Sequence, residues 1–190
     1  MAYFAAQGYR SVSLQTLYDA VMLGKPLPPK PIVFTFDDGY ADAHQFALPI
    51  LRKHNFIGTF YITSGFVGRK GHLTWRQIVE MADAGMDIQS HSVSHIPMRN
   101  KPAEVLREEM LGSRRALEQM IGKPVNFFCY PSGQFDATAM EMLKETGYLA
   151  ATTTKPGAWQ NEALPYEWPR IRVRGRDLLP NLLERIKYPD

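Results

Sequence analysis

Two adjacent acidic residues end the first strongly apolar run of the sequence. Asp37 and Asp38 follow "IVFTF" (32–36) and stand directly before a glycine. Like charges side by side repel each other, and each carboxylate resists removal from water. A solvated Asp-Gly turn explains the pair without any chemistry. The alternative is a chemical site, which requires further reactive residues nearby.

Two histidines four positions apart are candidate partners for these acids. His91 and His95 lie in the polar stretch "SHSVSH" (90–95), and a third polar stretch, "YPSG", spans 130–133. Two imidazoles and one carboxylate form a common ligand set for a divalent metal ion, with positions left open for water or substrate. Taken alone, the two histidines are more often surface or capping residues than ligands, so a metal site requires the fold to bring the stretches together.

The elements that would position these residues alternate along the chain. Apolar runs typical of strands are separated by amphipathic patterns typical of helices. The predicted strands span 32–36, 58–63, 86–90, 125–130, 148–154 and 170–173, and the predicted helices span 42–54, 75–84, 103–121, 136–146 and 177–187. Thr74 and Asp136 are predicted helix caps. This alternation predicts a parallel sheet whose carboxyl edge gathers all three polar stretches.

Length and composition restrict the class of protein. The chain has 190 residues, of which 45% are hydrophobic and 22% charged, as in an ordinary globular domain. Its net charge of +3 is too small and too scattered to indicate nucleic-acid binding. The single cysteine, Cys129, excludes an internal disulfide. No apolar run has the length of a membrane span, and no signal peptide is visible.

Three motifs in this order resemble one known family. "TFDDG" (35–39), "HSVSH" (91–95) and "YPSG" (130–133) are similar to motifs of the polysaccharide deacetylases, also called the NodB-homology domain or carbohydrate esterase family 4. The resemblance covers nearly the whole chain and is greatest to the extracytoplasmic bacterial branch that includes the poly-β-1,6-N-acetylglucosamine deacetylases. It implies an α/β fold, a distorted, incomplete (β/α) barrel of parallel strands.

The start of the chain resembles the family part-way into its first helix, with a short strand near residues 9–12. We therefore expect residues 1–190 to form a single deacetylase domain that lacks one strand and an export signal at its N terminus. The resemblance also implies a location outside the cytoplasm of a bacterium, in the periplasm, at the cell surface or secreted. Peripheral association with a surface is compatible with this expectation.

The resemblance assigns roles to individual residues. Asp38, His91 and His95 match the ligands of a divalent metal ion, most often Zn²⁺, with Co²⁺ or Ni²⁺ as substitutes. Asp37 matches the general base that activates water. The backbone N–H of Tyr130 matches a donor that stabilises the oxyanion of the reaction. The pair of acids would then have unlike roles, one as a ligand and one as a base.

Two residues common in the family are missing. Cys129 stands where the third motif often carries an arginine that orients the catalytic aspartate, and no histidine follows His95 to act as the general acid. A base needs a fixed direction, so we expect Arg170 in "WPRIRV" to orient Asp37. Arg172, two residues along the same predicted strand, is the alternative.

The implied function is removal of N-acetyl groups from a polysaccharide that contains N-acetylglucosamine: poly-N-acetylglucosamine, a chitin-like polymer or peptidoglycan. One alternative is an acetyl-ester hydrolase acting on xylan, which uses the same chemistry. Another is a weakly active, metal-containing carbohydrate-binding domain, because the general acid is missing. Trp159 and Trp168 lie in a proline-rich irregular segment, where we expect structural packing rather than stacking on sugars.

Overall fold

Seven short strands form two parallel sheets within residues 1–188, the part of the chain that this computed structural model describes. The smaller sheet pairs β1 (Arg10–Ser11) with β2 (Pro31–Ile32). The larger sheet contains, in spatial order, β3 (Thr35–Phe36), β4 (Thr59–Ile62), β5 (Asp87–Ser90), β6 (Phe127–Cys129) and β7 (Ala150–Thr152). This sheet is parallel throughout and curls into a half-barrel. The predicted α/β class and incomplete (β/α) barrel are therefore confirmed.

Helices connect the strands and flank the larger sheet. They are α1 (Ala2–Ala6), α2 (Leu14–Leu23), α3 (Leu48–Lys53), α4 (Trp75–Asp83), α5 (Ala103–Ile121), α6 (Ala137–Glu145) and α7 (Leu179–Lys187), with a π-helical turn at Ala43–Ala47 leading into α3. The predicted caps Thr74 and Asp136 accept the backbone N–H groups of Gln77 and Ala139. None of these helices is long and apolar enough to cross a lipid bilayer.

The predicted strand at 32–36 is divided between the two sheets. Ile32 pairs with Ser11 in the smaller sheet, whereas Thr35 pairs with Thr59 in the larger one. The two residues between them carry the chain from one sheet to the other. A continuous apolar run carries no sign of such a change of partner, so the prediction of a single strand was wrong.

The predicted strand at 170–173 was also wrong, because residues 169–174 belong to no strand. Pairing beside β7 is limited to an isolated bridge between Thr152 and Trp168. The residue after Trp168 is a proline, which has no N–H to continue a ladder. The N–H of Arg170 then bonds to the carbonyl of Lys155 at 3.0 Å, outside any sheet.

Two hydrophobic cores lie on opposite sides of the larger sheet. The main core lies under the helices and includes the fully buried Leu51, Ile78, Leu106, Leu117 and Leu143. Successive strand residues face opposite sides of a sheet, so Tyr61 and Phe127 belong to a smaller core on the concave side, together with Trp168. The main core holds the strands in place, and the carboxyl ends of β3, β5 and β6 carry the three motifs.

Candidate active site

The turn after β3 sends its two acidic side chains in different directions. Asp38 has a φ of 72°, in the left-handed region, and Gly39 follows with a φ of 76°. The left-handed conformation is unfavourable for an aspartate, so the surrounding contacts must hold the turn. As a result, the Asp37 carboxylate contacts an arginine, whereas the Asp38 carboxylate faces two histidines.

One oxygen of Asp38 lies close to both histidines of the second motif. Asp38 Oδ1 is 3.3 Å from His91 Nε2 and 3.1 Å from His95 Nε2. His91 is buried, and its Nδ1 donates to the carbonyl of Cys129 at 2.7 Å. This bond fixes the ring so that Nε2 points to Asp38. Histidines that bind metal ions usually make such a second contact through their other nitrogen.

The donor atoms of Asp38, His91 and His95 suit a divalent cation. They all lie within 4.8 Å of one another. About 30% of the Asp38 side chain and 29% of the His95 side chain are exposed, so the group is open to solvent on one side. Two imidazole nitrogens and one carboxylate oxygen with an open side match a metal site that leaves room for water or substrate.

A second group of possible ligands lies deeper and suits a cation less well. Asp37, His91 and Cys129 also place donor atoms within 4.8 Å of one another. However, the guanidinium of Arg170 donates to both Asp37 and the Cys129 sulfur. Its positive charge opposes a second cation at this position. The outer group, which includes Asp38, is therefore the better candidate for the metal.

A buried glutamate that the sequence analysis missed holds the histidine loop. Glu109 on α5 accepts the backbone N–H groups of Val93 and Ser94 at 3.0 and 2.8 Å, and it also bonds the Ser94 hydroxyl. His95 has a φ of 58°, and its N–H donates to the Ser92 hydroxyl at 3.0 Å. These bonds fix a strained loop from both sides.

The sequence does contain a signal for this glutamate. Glu109 shares one face of α5 with Leu106, Met110, Ser113 and Leu117, all of them buried. A buried acidic residue requires hydrogen-bond partners. A glutamate on the apolar face of a helix that follows the histidine motif therefore marks a structural partner of that loop.

Arg170 lies against Asp37 in the geometry that the sequence analysis expected. Its Nη1 and Nη2 atoms are 2.7 and 2.8 Å from the two Asp37 oxygens, a paired contact that fixes the plane of the carboxylate. Its Nη2 is 3.1 Å from the Cys129 sulfur, and its Nη1 is 3.1 Å from the Thr35 hydroxyl. Arg172, the alternative, is exposed, and the contacts to Asp37 come from Arg170 instead.

Charge interactions and burial shift the pKa values of Asp37, Asp38 and His91. Burial opposes ionisation of Asp37, but the hydrogen bonds and charge of Arg170 outweigh burial and hold the pKa of that carboxyl below its usual range. The hydrogen bond from His91 is the main reason why the pKa of Asp38 is lowered. Burial alone would lower the pKa of His91, yet its interactions with Cys129 and Asp38 raise it to about 10. A bound cation would compete with that proton.

The backbone N–H of Tyr130 already has a hydrogen-bond partner, which was not expected. Its backbone N–H, the expected oxyanion donor, bonds to the carbonyl of Thr152 at 3.3 Å in the ladder between β6 and β7. Its ring stacks on Phe135 with 4.4 Å between centroids. A distance of 3.3 Å is beyond the usual range, so this ladder bond is weak. The oxyanion role stays a prediction, and it requires the N–H to turn partly toward the substrate.

Comparison with known proteins identifies relatives of this chain. The family model described as polysaccharide deacetylase matches residues 24–151. YxkH of Bacillus subtilis, named as a polysaccharide deacetylase, is 30% identical over 173 residues, which cover 91% of this chain and 62% of YxkH. The peptidoglycan-N-acetylmuramic acid deacetylase PdaA of the same organism is 33% identical over 138 residues, or 72% of this chain and 51% of PdaA. The chain thus spans little more than half of the length of these two relatives.

Similarity in structure extends further along the chain. The Streptococcus pyogenes deacetylase PplD, solved in complex with acetate, superposes with a TM-score of 0.91 at 27% identity. The match covers 96% of this chain and 82% of PplD. The family model alone matches more than half of the 190 residues, including the turn after β3 and the histidine loop. The chain therefore belongs to the polysaccharide deacetylase family.

Proposed function

We propose that this chain is a metal-dependent hydrolase that removes N-acetyl groups from a polysaccharide containing N-acetylglucosamine. The observation that carries the proposal is the grouping of Asp38, His91 and His95 beside a second aspartate, Asp37, that is fixed by Arg170. One acid faces a candidate cation site and the other is held ready to exchange a proton. The names of the relatives support acetyl groups on sugars as the target.

The three ligand residues fit a divalent ion, most readily Zn²⁺, with Co²⁺ or Ni²⁺ as substitutes. Such an ion, when bound, would polarise the acetyl carbonyl and lower the pKa of a water molecule to about 7. Asp38 supplies the negative charge, and the bond from His91 Nδ1 to a backbone carbonyl keeps Nε2 available as a ligand. The exposed side of Asp38 and His95 leaves room for the acetyl group.

Asp37 is the proposed general base. Its lowered pKa keeps the carboxylate ionised at neutral pH, so that it can accept a proton from water. Arg170 fixes the direction of the carboxylate, which proton transfer requires. The contact with Arg170 also weakens the base, because it stabilises the ionised form. The backbone N–H of Tyr130 is the proposed additional donor to the oxyanion.

The departing amine must gain a proton, and we propose that Asp37 returns the one it has taken. In residues 1–188, the three remaining histidines make no side-chain hydrogen bond to Asp37 or to the candidate metal ligands. His44 pairs with Glu80 on the outer surface, and His54 ends α3. His72 lies beside Tyr40, with 5.1 Å between ring centroids.

Replacing each of these histidines by alanine tests the role of Asp37 as the acid. His44→Ala, His54→Ala and His72→Ala should each keep kcat within about tenfold of the original value, because a lost proton-transfer group typically lowers the rate by about 10²–10⁴. Elemental analysis should show unchanged metal content. A variant that keeps its metal but loses turnover would identify that histidine as the acid.

Acetate release tests the proposed function directly. N-acetylglucosamine oligomers should release acetate, the release should stop with a chelator, and added Zn²⁺ should restore it. Asp37→Asn should keep the metal and lose turnover, whereas Asp38→Ala should bind the metal weakly. Release from acetylated xylan alone would indicate an ester hydrolase. Oligomer binding without acetate release would indicate a sugar-binding domain.

The proposed setting of the reaction is outside the cytoplasm. PdaA is named for its action on peptidoglycan, a polymer that lies outside the cytoplasmic membrane. Poly-N-acetylglucosamine and chitin-like polymers are the other substrates consistent with N-acetyl chemistry. Release from purified peptidoglycan and from each of these polymers, measured side by side, would rank them.

A further inference from the structure

The segment after β7 forms a loop at the carboxyl edge of the sheet. Its two ends are tied together, since Thr153 N–H donates to the Trp168 carbonyl at 2.9 Å and Trp168 N–H donates to the Ala151 carbonyl at 3.0 Å. Arg170 N–H adds a bond to the Lys155 carbonyl. The two ends of the loop are therefore held together, and the residues between 155 and 168 form the rest of the loop.

The two tryptophans of this loop differ in exposure to solvent. Trp168 is 1% exposed, packs in the concave-side core and donates from its indole N–H to the Asn161 carbonyl. Trp159 is 83% exposed, the highest value among the large hydrophobic side chains of residues 1–188. The expectation of structural packing is met by Trp168 and is wrong for Trp159. A ring this exposed adds little to the folded core, so its surface is free to contact a ligand.

Trp159 borders a depression of about 270 Å³ with a mixed lining. Polar groups come from Lys155, Asn161 and Glu167, and the Lys155 ammonium is paired with the Glu167 carboxylate. Prolines and Trp168 supply apolar walls. A sugar ring has the same mixture, with C–H groups on its faces and hydroxyl groups at its edge. An apolar protein segment covering the depression would take the Lys155–Glu167 ion pair out of water without offering it a hydrogen-bond partner, and removing an ion pair from water is costly.

The depression lies next to the residues that hold the base. Two of its lining residues, Lys155 and Pro169, adjoin Arg170, one through a backbone hydrogen bond and the other through the chain. Arg170 in turn contacts Asp37 at 2.7 Å. The Lys155 ammonium also lies 5.4 Å from the ring centroid of Phe135, the residue on which Tyr130 stacks. Arg170 is thus a common neighbour of the depression and of the base.

We propose that Trp159 and this depression form a subsite for a second sugar ring of the same polysaccharide. This inference rests on the proposed function, because it places the acetylated sugar beside Asp37 and Asp38. The Trp159 indole stacks on one face of the neighbouring ring, and the Lys155–Glu167 pair bonds to hydroxyl groups at the ring edge. The site therefore selects chains over single sugars.

The dependence of kcat/KM on chain length tests the subsite. With N-acetylglucosamine oligomers from monomer to hexamer, kcat/KM of the unaltered protein should rise once the chain reaches the depression. Trp159→Ala should raise KM for the hexamer about tenfold while kcat changes little, the loss expected for one aromatic stack. Trp159→Phe should restore part of the affinity. Tyr188→Ala, which removes another exposed aromatic ring outside this segment, is the matched control.

Direct binding separates failure of the subsite from failure of the proposed function. In an Asp37→Asn background, the hexamer should change the tryptophan fluorescence, and Trp159→Ala should abolish most of that change. An unchanged fluorescence response or an unchanged KM in Trp159→Ala would overturn the subsite. A change in oligomeric state without a change in sugar binding would also overturn it. Hexamer binding that depends on Trp159, without acetate release from any substrate, would support the subsite and end the proposed function.

Discussion

The guanidinium of Arg170 contacts several separate parts of the chain at once. It bonds to Asp37 and Thr35 from β3 and the turn after it, to Cys129 on β6, and to the carbonyl of Thr153 after β7. The guanidinium lies against the small Cys129 side chain, with 3.1 Å between Nη2 and the sulfur. An arginine far along the chain can thus contact Asp37 in place of one at position 129.

Arg170→Lys should lower kcat about 10–100-fold, because an ammonium cannot make the paired contact that fixes the Asp37 carboxylate. Metal content, measured by elemental analysis, should stay unchanged, because Arg170 contacts none of the proposed ligands. Arg172→Lys is the matched control, since Arg172 is exposed and it is Arg170, two residues earlier, that contacts Asp37. An equal loss of kcat in both variants would show that the effect is not due to the Asp37 contact.

Glu109→Gln should weaken metal binding about 10–100-fold, the usual effect of losing a group that positions a ligand. The amide keeps one oxygen for the loop N–H groups but loses the charge that strengthens these bonds. Competition with a chelator of known affinity measures the change without any assay of turnover. Glu108→Gln, an exposed neighbour on the same helix, should leave metal affinity unchanged. Equal affinity in the two variants would contradict this role of Glu109.

Some of the contacts at the site could be predicted from the sequence, and others could not. The order of the motifs and the rule for parallel sheets placed Asp38, His91 and His95 together, and the structure shows them in contact. The ladder bond of Tyr130 depends on the register of β6 against β7, which local sequence does not encode. Glu109 was missed because its signal lies in the face of a helix and in no motif.

At the scale of elements, helices were easier to predict than strands. The helix α5 matches its prediction residue for residue, and α4 differs at one end by a single position. A helix satisfies its own backbone, so its pattern is local. A strand needs a partner, and both wrong strands, at 32–36 and 170–173, failed where the chain changes or lacks a partner. The helix α2 was not among the predicted helices.

Gly133→Ala should destabilise the loop after β6 more than its backbone conformation alone explains. Gly133 has a φ of 66°, and a methyl group there would lie 1.9 Å from the Thr154 hydroxyl. Gly24→Ala, at a φ of 67° with open space around it, is the matched control for the left-handed conformation and should cost about 1–2 kcal/mol. Urea unfolding should show a larger loss for Gly133→Ala.

The added cost at this glycine should come from the clash. Thr154→Ala in the Gly133→Ala background removes the hydroxyl and should recover part of the lost stability. The clash would also shift the adjoining residues Tyr130 and Pro131, so kcat should fall in the single variant and rise again in the double one. Equal destabilisation by Gly24→Ala and Gly133→Ala would show that the Thr154 contact is unimportant.

For the whole molecule, the candidate metal site connects strands that are not neighbours. Asp38 follows β3 and the two histidines follow β5, with β4 between them. An ion bound only by the folded protein should therefore stabilise the entire domain. At a free Zn²⁺ concentration of about 100 times Kd the gain is about 2.7 kcal/mol, which corresponds to a rise in Tm of about 5–10 °C.

Thermal unfolding with and without Zn²⁺ measures this effect. His95→Ala, which removes one partly exposed ligand, should unfold at about the same Tm in both conditions. A chelator should return the unaltered protein to the Tm of its ion-free form. A rise in Tm that persists in His95→Ala would place the ion elsewhere.

The bridge that Arg170 makes also spans the open side of the half-barrel. β3 and β7 are the two edge strands of the larger sheet, and the arginine joins residues at the ends of both. Partial unfolding that parts these edges, with the helices still folded, would separate the base from its guanidinium. The protein would therefore lose activity before its helices unfold. A storage half-life measured by turnover would be shorter than one measured by circular dichroism.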